Sequence, residues 1–250
     1  MDRVGRALMI GMGEVGRRLA DALTVAGWDV LPVTRQQGWD TALDESDTAP
    51  RLVAVREEDL QAVLDRIPET LRPRLLLVQN GFLEAVHGSL GPVSRGLIYF
   101  TSKSGFFRVL CASLFHGALA APIAAALETG GIRARPIEDG EEYLRAMIVK
   151  GIWNAVVGLP LAVHDVDLST YLDTFRDEFE ALIDESARAA GAEYGVSVSA
   201  AVVERKILET TADLGWVKGG RKSLAWRNGA IAQFGRRHGV PTPVTDRLLR

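Results

Sequence analysis

Gly11-Met12-Gly13-Glu14-Val15-Gly16 constrains this chain more than any other stretch of it. It matches G-x-G-x-x-G and lies between the apolar run 7–10 and a segment, 14–26, whose Val15, Leu19 and Leu23 share one helical face. A glycine loop in that position marks a buried strand that turns sharply into a helix. Gly11 permits the tight turn, Gly13 lets the backbone approach a pyrophosphate, and Gly16 lets helix and strand pack closely. The helix N-terminus then offers free N–H groups and a partial positive charge to the phosphates. Met12, Glu14 and Val15 complete the candidate cofactor loop. The competing reading is a glycine-rich turn that holds no ligand.

The first half of the sequence repeats this alternation. Strands are predicted at 7–10, 30–33, 52–55, 75–78, 97–100, 109–114 and 132–137, and helices at 14–26, 57–67 and 118–128. Gly27 closes the first helix. The run Leu75-Leu76-Leu77-Val78 has the continuous apolar character of a strand buried on both faces. From about Glu141 the strand signals stop, and helical patterns run over 141–157, 169–190, 198–212 and 222–238. The predicted class is α/β: an N-terminal Rossmann domain with a doubly wound parallel sheet over 1–139, then an all-helical domain over 140–250.

Composition removes several function classes. The 250 residues are 47% hydrophobic and 24% charged, as in globular proteins, with a net charge of −3, which argues against a basic nucleic-acid binder. A single cysteine, Cys111, excludes an intrachain disulfide and a cysteine-clustered zinc site. His87, His116, His164 and His238 show no metal-ligand spacing, so no metal is expected. The run 7–10 is too short for the core of a secretory signal. The stretch 109–127 reads as a buried strand followed by a helix, not a membrane span. The expected compartment is the cytoplasm, with neither membrane nor nucleic acid as partner. Residues 165–193 hold nine acidic and two basic side chains, and 214–250 hold eight basic and one acidic. That asymmetry fits a contact between subunits, a surface for an anionic ligand, or ordinary solvated helix faces.

Two positions speak to the chemistry. An NAD site places a carboxylate at the end of the second strand to hold the ribose 2′-hydroxyl. Here Val33-Thr34-Arg35 stands instead, and Asp29 lies at the start of that strand. Arg35 can pair with a 2′-phosphate, which favours NADP; its other reading is a surface arginine. Lysine is scarce, five against twenty-four arginines, yet Lys150 sits in an apolar neighbourhood four residues before Asn154, on the same helix face. A desolvated lysine can deliver a proton near neutral pH. The competing reading is a lysine that snorkels to the surface.

The glycine loop, Arg35, Gln79-Asn80-Gly81, Lys150-x-x-x-Asn154, Trp226-Arg227-Asn228-Gly229 and the closing Arg237-His238-Gly239-Val240-Pro241-Thr242-Pro243 come in an order that resembles the ketopantoate reductase (2-dehydropantoate 2-reductase) family over nearly the whole chain. The resemblance implies an NADPH-dependent oxidoreductase that reduces the ketone of a 2-keto acid. It makes Lys150 the general acid and Asn154 a substrate contact, and places Asn80 and Gly81 beside the cofactor. The chain is a divergent member of the pattern. Arg56 stands for a lysine after the third strand, Thr211 for a substrate-contacting serine, Ser223 for an acidic residue and Gly158 for a second asparagine. The segment between Arg35 and Leu52 is shorter than in the family, which predicts a more open adenine side. A homodimer is the expected assembly. Two other classes share these features: a non-catalytic NADP-binding sensor, and a reductase of another carbonyl or an imine.

Overall fold

The computed structural model describes residues 4–83, 90–103 and 106–250, so His87 lies outside the described residues. The chain divides into two compact units: Met1–Gln79 with Leu83–Tyr143, and Asn80–Phe82 with Leu144–Arg250.

The first unit is built on a seven-stranded sheet. Its strands are β1 (Gly5–Ile10), β2 (Trp28–Val33), β3 (Arg51–Val53), β4 (Leu75–Leu77), β5 (Ser94–Leu97), β8 (Ser113–His116) and β9 (Ala134–Pro136), in the order β2-β1-β3-β4-β5-β8-β9. Strands β6 (Phe100–Lys103) and β7 (Phe106–Val109) form a separate hairpin. From β2 to β5 the neighbours are parallel; β8 runs antiparallel to β5, and β9 parallel to β8. The sheet is therefore mixed at one side. The candidate strands at 97–100 and 109–114 each straddle a boundary, because the hairpin occupies the chain between β5 and β8. Helix α1 (Glu14–Val25) covers the sheet with α4 (Ala120–Thr129), while α2 (Trp39–Ala42) and α3 (Glu57–Leu64) lie in the connections that flank β3. Ala7 through Ile10 are at most 1% exposed, the burial that continuous apolar runs foretell. Ala7 and Met9 pack with Leu19, Leu23 and Phe115 into one core of the unit.

The second unit is helical: α5 (Gly140–Val156), α6 (Leu159–His164), α7 (Leu168–Thr174), α8 (Arg176–Tyr194), α9 (Ala200–Thr211), α10 (Asn228–His238) and α11 (Pro243–Leu248). The stretch Gly140–His164 is long and apolar enough to cross a membrane, but 78% of its apolar 18-residue window is buried inside the protein, so its apolar surface serves the core. The continuous helix expected over 169–190 is interrupted at Phe175, whose ring stacks on His164 with centroids 3.9 Å apart. No glycine or proline announces that break. The helix expected over 222–238 is a short 3₁₀ turn, Leu224–Trp226, followed by α10, because Ser223 adopts a left-handed backbone at φ 50°. Buried Glu185 accepts bonds from the Val244 and Thr245 amides and the Thr245 hydroxyl, which caps α11. The acidic and basic runs meet within the chain: Arg247 pairs with Glu178 at 2.8 Å, and Arg237 and His238 both pair with Glu193. Part of the charge asymmetry is thereby satisfied without a partner molecule.

The connection from β2 to β3 is organised by one side chain. Arg51 is wholly buried, and its guanidinium donates to the carbonyls of Ala42, Asp44, Asp47 and Ala49. Burial pushes its pKa down, against the pull of Asp47, and the four carbonyls are what make a buried guanidinium tolerable. Removing it takes a donor from all four carbonyls, of which those of Ala42 and Ala49 belong to buried residues. We expect Arg51→Ala to lower the unfolding free energy by at least about 3 kcal/mol, and Arg51→Lys to recover only part of that, because an ammonium cannot reproduce the fork. Chemical denaturation checks this; an unchanged midpoint for Arg51→Ala would contradict it.

Candidate functional site

The glycine loop follows β1 without an intervening residue. The Gly11 amide donates to Val33 O at 3.0 Å, and Ala54 N donates to Ile10 O at 2.7 Å, so the loop leaves the sheet between the ends of β2 and β3. Gly11 has φ +98°, and a Cβ there would stand 2.9 Å from the Ala54 backbone. At Gly16 a Cβ would come within 1.9 Å of Gly11 O. Gly13 differs: it caps α1 in an extended conformation, and a Cβ there would meet nothing within 4 Å. Two glycines are thus required by packing, and the third faces open space. Glu14 and Val15 form the first turn of α1; Glu14 is exposed, and Val15 packs on the core. Met12 lies half-buried, its carbonyl accepting from Arg17 Nε at 2.9 Å.

The loop opens on a cleft of about 630 Å³. Gly11, Met12, Gly13, Arg35 and Arg56 all line it, whereas the candidates Glu14, Val15 and Gly16 do not. Arg35 follows β2 and Arg56 follows β3, the two strands that pair with β1. Both guanidinium groups reach Asp59 at 3.3 Å. Asp29, second residue of β2, sits 3.9 Å from Arg6 and does not line the cleft. The short connection, expected to leave the adenine side more open, supplies Trp39 to the lining, and Arg66 lies 3.8 Å over that ring. Sequence reasoning missed Trp39, Asp59 and Arg66, which belong to no motif. An open cradle at a helix N-terminus, a cleft of this volume and several guanidinium groups fit a phosphorylated dinucleotide.

The remaining candidates belong to the second unit. Lys150 and Asn154 lie one turn apart on α5 and are only 5% and 7% exposed, which sets aside the snorkelling reading of the lysine. The Lys150 ammonium sits 3.8 Å from the centre of the Trp153 ring, whose Nε1 donates to Thr210 Oγ1 at 2.9 Å. Asn154 Nδ2 is buried and has no hydrogen-bond partner among the described residues. Such a donor is costly unless something accepts from it. Asn80 and Gly81 come to this unit through Phe82, whose amide donates to Trp226 O at 2.9 Å and whose ring fills the space left by Gly151. Thr211 is buried, and its hydroxyl donates to Ile207 O at 2.6 Å, within its own helix. Ser223 heads the 3₁₀ turn Leu224–Trp226. Trp153 and Thr210 are the polar neighbours of this set that the spacing did not single out.

No protein-family model and no curated protein sequence matches this chain. Solved structures match it in shape. A D-mandelate dehydrogenase in ternary complex with NADH and anilino(oxo)acetate aligns with TM-score 0.78 and 17% identity, over 98% of this chain and 96% of the other. A PanE/ApbA family ketopantoate reductase from Ralstonia eutropha JMP134 aligns with TM-score 0.75 and 20% identity, over 98% and 96%. A dimeric ketopantoate reductase from Staphylococcus aureus gives 0.72 and 18% identity over the same shares. The chain shares the fold of these three proteins. At these identities the likeness establishes the architecture, a Rossmann-like sheet followed by a helical unit, and leaves chemistry to the side chains.

The three glycines separate packing from binding. We expect Gly13→Ala to leave the thermal midpoint within a few degrees of wild type while weakening dinucleotide binding at least about tenfold, because the added methyl enters only the space a phosphate would approach. Gly16→Ala should lower stability by about 2 kcal/mol or more through its clash with Gly11 O. Thermal unfolding and equilibrium binding of the two variants check this, and a Gly13→Ala that binds as wild type would remove the phosphate-cradle reading.

Proposed function

We propose that this protein is an NADPH-dependent reductase of a 2-keto acid. The observation that carries the reading is the buried pair on α5: a lysine against the Trp153 ring and, one turn on, an asparagine whose amide donor has no partner among the described residues. Its companion in the same chain is the open cradle at Gly13 with Arg35 and Arg56 beside it.

In this reading the amides at the start of α1 and the backbone at Gly13 hold the pyrophosphate, and Arg35 and Arg56 hold the ribose 2′-phosphate. When bound, the reduced dinucleotide supplies the hydride that the carbonyl carbon receives. Lys150 Nζ gives a proton to the carbonyl oxygen as negative charge develops there, and Asn154 Nδ2 donates a hydrogen bond that orients the substrate. Trp153 holds the ammonium against its ring face, and Thr210 fixes the ring.

Within that class the substrate need not be ketopantoate. Ser223 offers no carboxylate, and the fold neighbours include a D-mandelate dehydrogenase as well as ketopantoate reductases. A 2-keto acid with a different, bulkier side chain fits both observations. The deciding experiment is NADPH oxidation by the purified chain against a panel of aliphatic and aryl 2-keto acids. Turnover of one or more supports the reading; turnover of a simple ketone or imine instead would move it to another reductase, and tight NADPH binding without any turnover would favour a sensor.

Two variants test the roles. NADPH should bind about ten- to a hundredfold more tightly than NADH, from a charge-assisted contact worth roughly 1.5–3 kcal/mol, and Arg35→Ala should lose most of that preference. Equal affinities in wild type would contradict the assignment of Arg35. Lys150→Met, which keeps an apolar stem in the buried site, should lower kcat by about 10²–10⁴-fold and leave the Kd for NADPH within about threefold. A fully active Lys150→Met would end the proposed proton transfer.

A further inference from the structure

The arginines of the first cleft are not equivalent. Arg17 is turned onto the Met12 carbonyl and Arg66 onto the Trp39 ring, whereas Arg35 and Arg56 converge on Asp59, the one carboxylate lining the cleft among the described residues. Arg35 Nη2 reaches both Asp59 oxygens, at 3.3 and 3.4 Å, and Arg56 reaches Oδ2 through Nε and Nη2, both at 3.3 Å. One anion therefore already lies between two guanidinium groups at the end of β2 and the end of β3. We propose that Asp59 sets the choice between the two dinucleotides by standing where Arg35 and Arg56 would otherwise close on a 2′-phosphate. This rests on the dinucleotide reading given above and goes beyond it in naming the residue that limits the phosphate preference.

Two effects of this carboxylate oppose each other. It holds two like charges near one another, which prepares the arginines for an anion. It also competes for their N–H donors and repels a phosphate that carries between one and two negative charges at neutral pH. The first effect is small, because the Arg35, Arg56 and Asp59 side chains are 83%, 75% and 37% exposed, and pairs so open to water and salt contribute at most a few-fold. The second is larger: a unit charge about 5 Å from a phosphate dianion, even at the dielectric of water, weakens binding roughly tenfold. Repulsion wins, and Asp59 lowers the affinity for NADPH. It has no such effect on NADH, whose ribose carries a neutral hydroxyl that a carboxylate can accept from. The wild-type preference is therefore expected at the lower end of the range that Arg35 alone would give.

The sequence position agrees with this role. Asp59 lies in the first turn of α3, where Glu57 and Glu58 also stand, so the helix keeps an acidic N-terminus without it. A conservative change at Asp59 can then be read as a change in the cleft and not in the fold. Arg56 itself caps that helix start, so the guanidinium and the carboxylate that it meets are placed by one local structure.

The test is equilibrium binding of NADPH, NADH and 2′-AMP to the full chain and to Asp59→Asn, at fixed ionic strength near 0.1 M, with thermal unfolding as a check on both proteins. The expected result is about tenfold tighter NADPH and tighter 2′-AMP in Asp59→Asn, with NADH unchanged within about twofold or slightly weaker. NADPH affinity that is unchanged or reduced in Asp59→Asn, while both dinucleotides still bind, would overturn this proposal and leave the dinucleotide reading standing. Binding of neither dinucleotide by either protein would bring down that reading, and this proposal with it.

Discussion

The approach of helix α1 to the backbone of Gly11 is the contact on which the first unit is arranged. A Cβ at Gly16 would lie 1.9 Å from Gly11 O, so no other residue allows α1 to sit so close to the turn that begins it. That seating leaves the start of the helix facing the open space at Gly13. The sheet completes the arrangement. Ile10, at the end of β1, pairs with Val33 of β2 on one side and Val53 of β3 on the other, and the chain continues from those residues to Arg35 and Arg56. The three strand ends that form the cleft are neighbours because β1 lies between β2 and β3, which is where open α/β sheets bind ligands.

The helical unit reaches its order by a different route. Helix α5 is apolar around most of its circumference, and Ile148, Ile152, Ala155 and Val156 are fully buried, so it forms the centre of its unit and not a face of it. Polar groups on such a helix are costly, which makes Lys150 and Asn154 informative. Gly151 lies between them because Phe82 needs its place: a Cβ there would come within 2.4 Å of the Phe82 ring. The same ring packs against Tyr194 and Phe234, which fixes the segment Asn80–Phe82 to this unit although its neighbours in sequence belong to the other.

What could be read from the sequence follows from how local each cause is. The glycine loop and strands β1 to β4 were legible because short apolar runs and glycine spacing are local signals with one structural solution. The β6–β7 hairpin was not, since Phe100–Lys103 and Phe106–Val109 have the composition of sheet strands and only the reversal between β5 and β8 shows that they stand apart. The break at Phe175 depends on His164, eleven residues away, and the left-handed Ser223 carries no glycine to announce it. Among the site residues, Arg35, Lys150 and Asn154 stood out by position within an element. Trp39, Asp59 and Arg66 did not, because their role exists only once β2, β3 and their connections are side by side. Arg51 belongs to the same group: nothing in sequence separates it from the other arginines, yet it organises the segment that delivers Trp39 to the cleft.

The setting of Lys150 shows how an aromatic ring helps to hold a buried cation. An aromatic face attracts an ammonium through its quadrupole, and more strongly where water is excluded. It offers no lone pair, so it steadies the nitrogen without accepting its proton. The Trp153 ring cannot swing away cheaply, because its own N–H is bonded to Thr210, whose hydroxyl in turn donates to the Lys206 carbonyl one turn back in α9. The chain from Lys206 through Thr210 and Trp153 to Lys150 thus transmits the rigidity of α9 to the Lys150 ammonium.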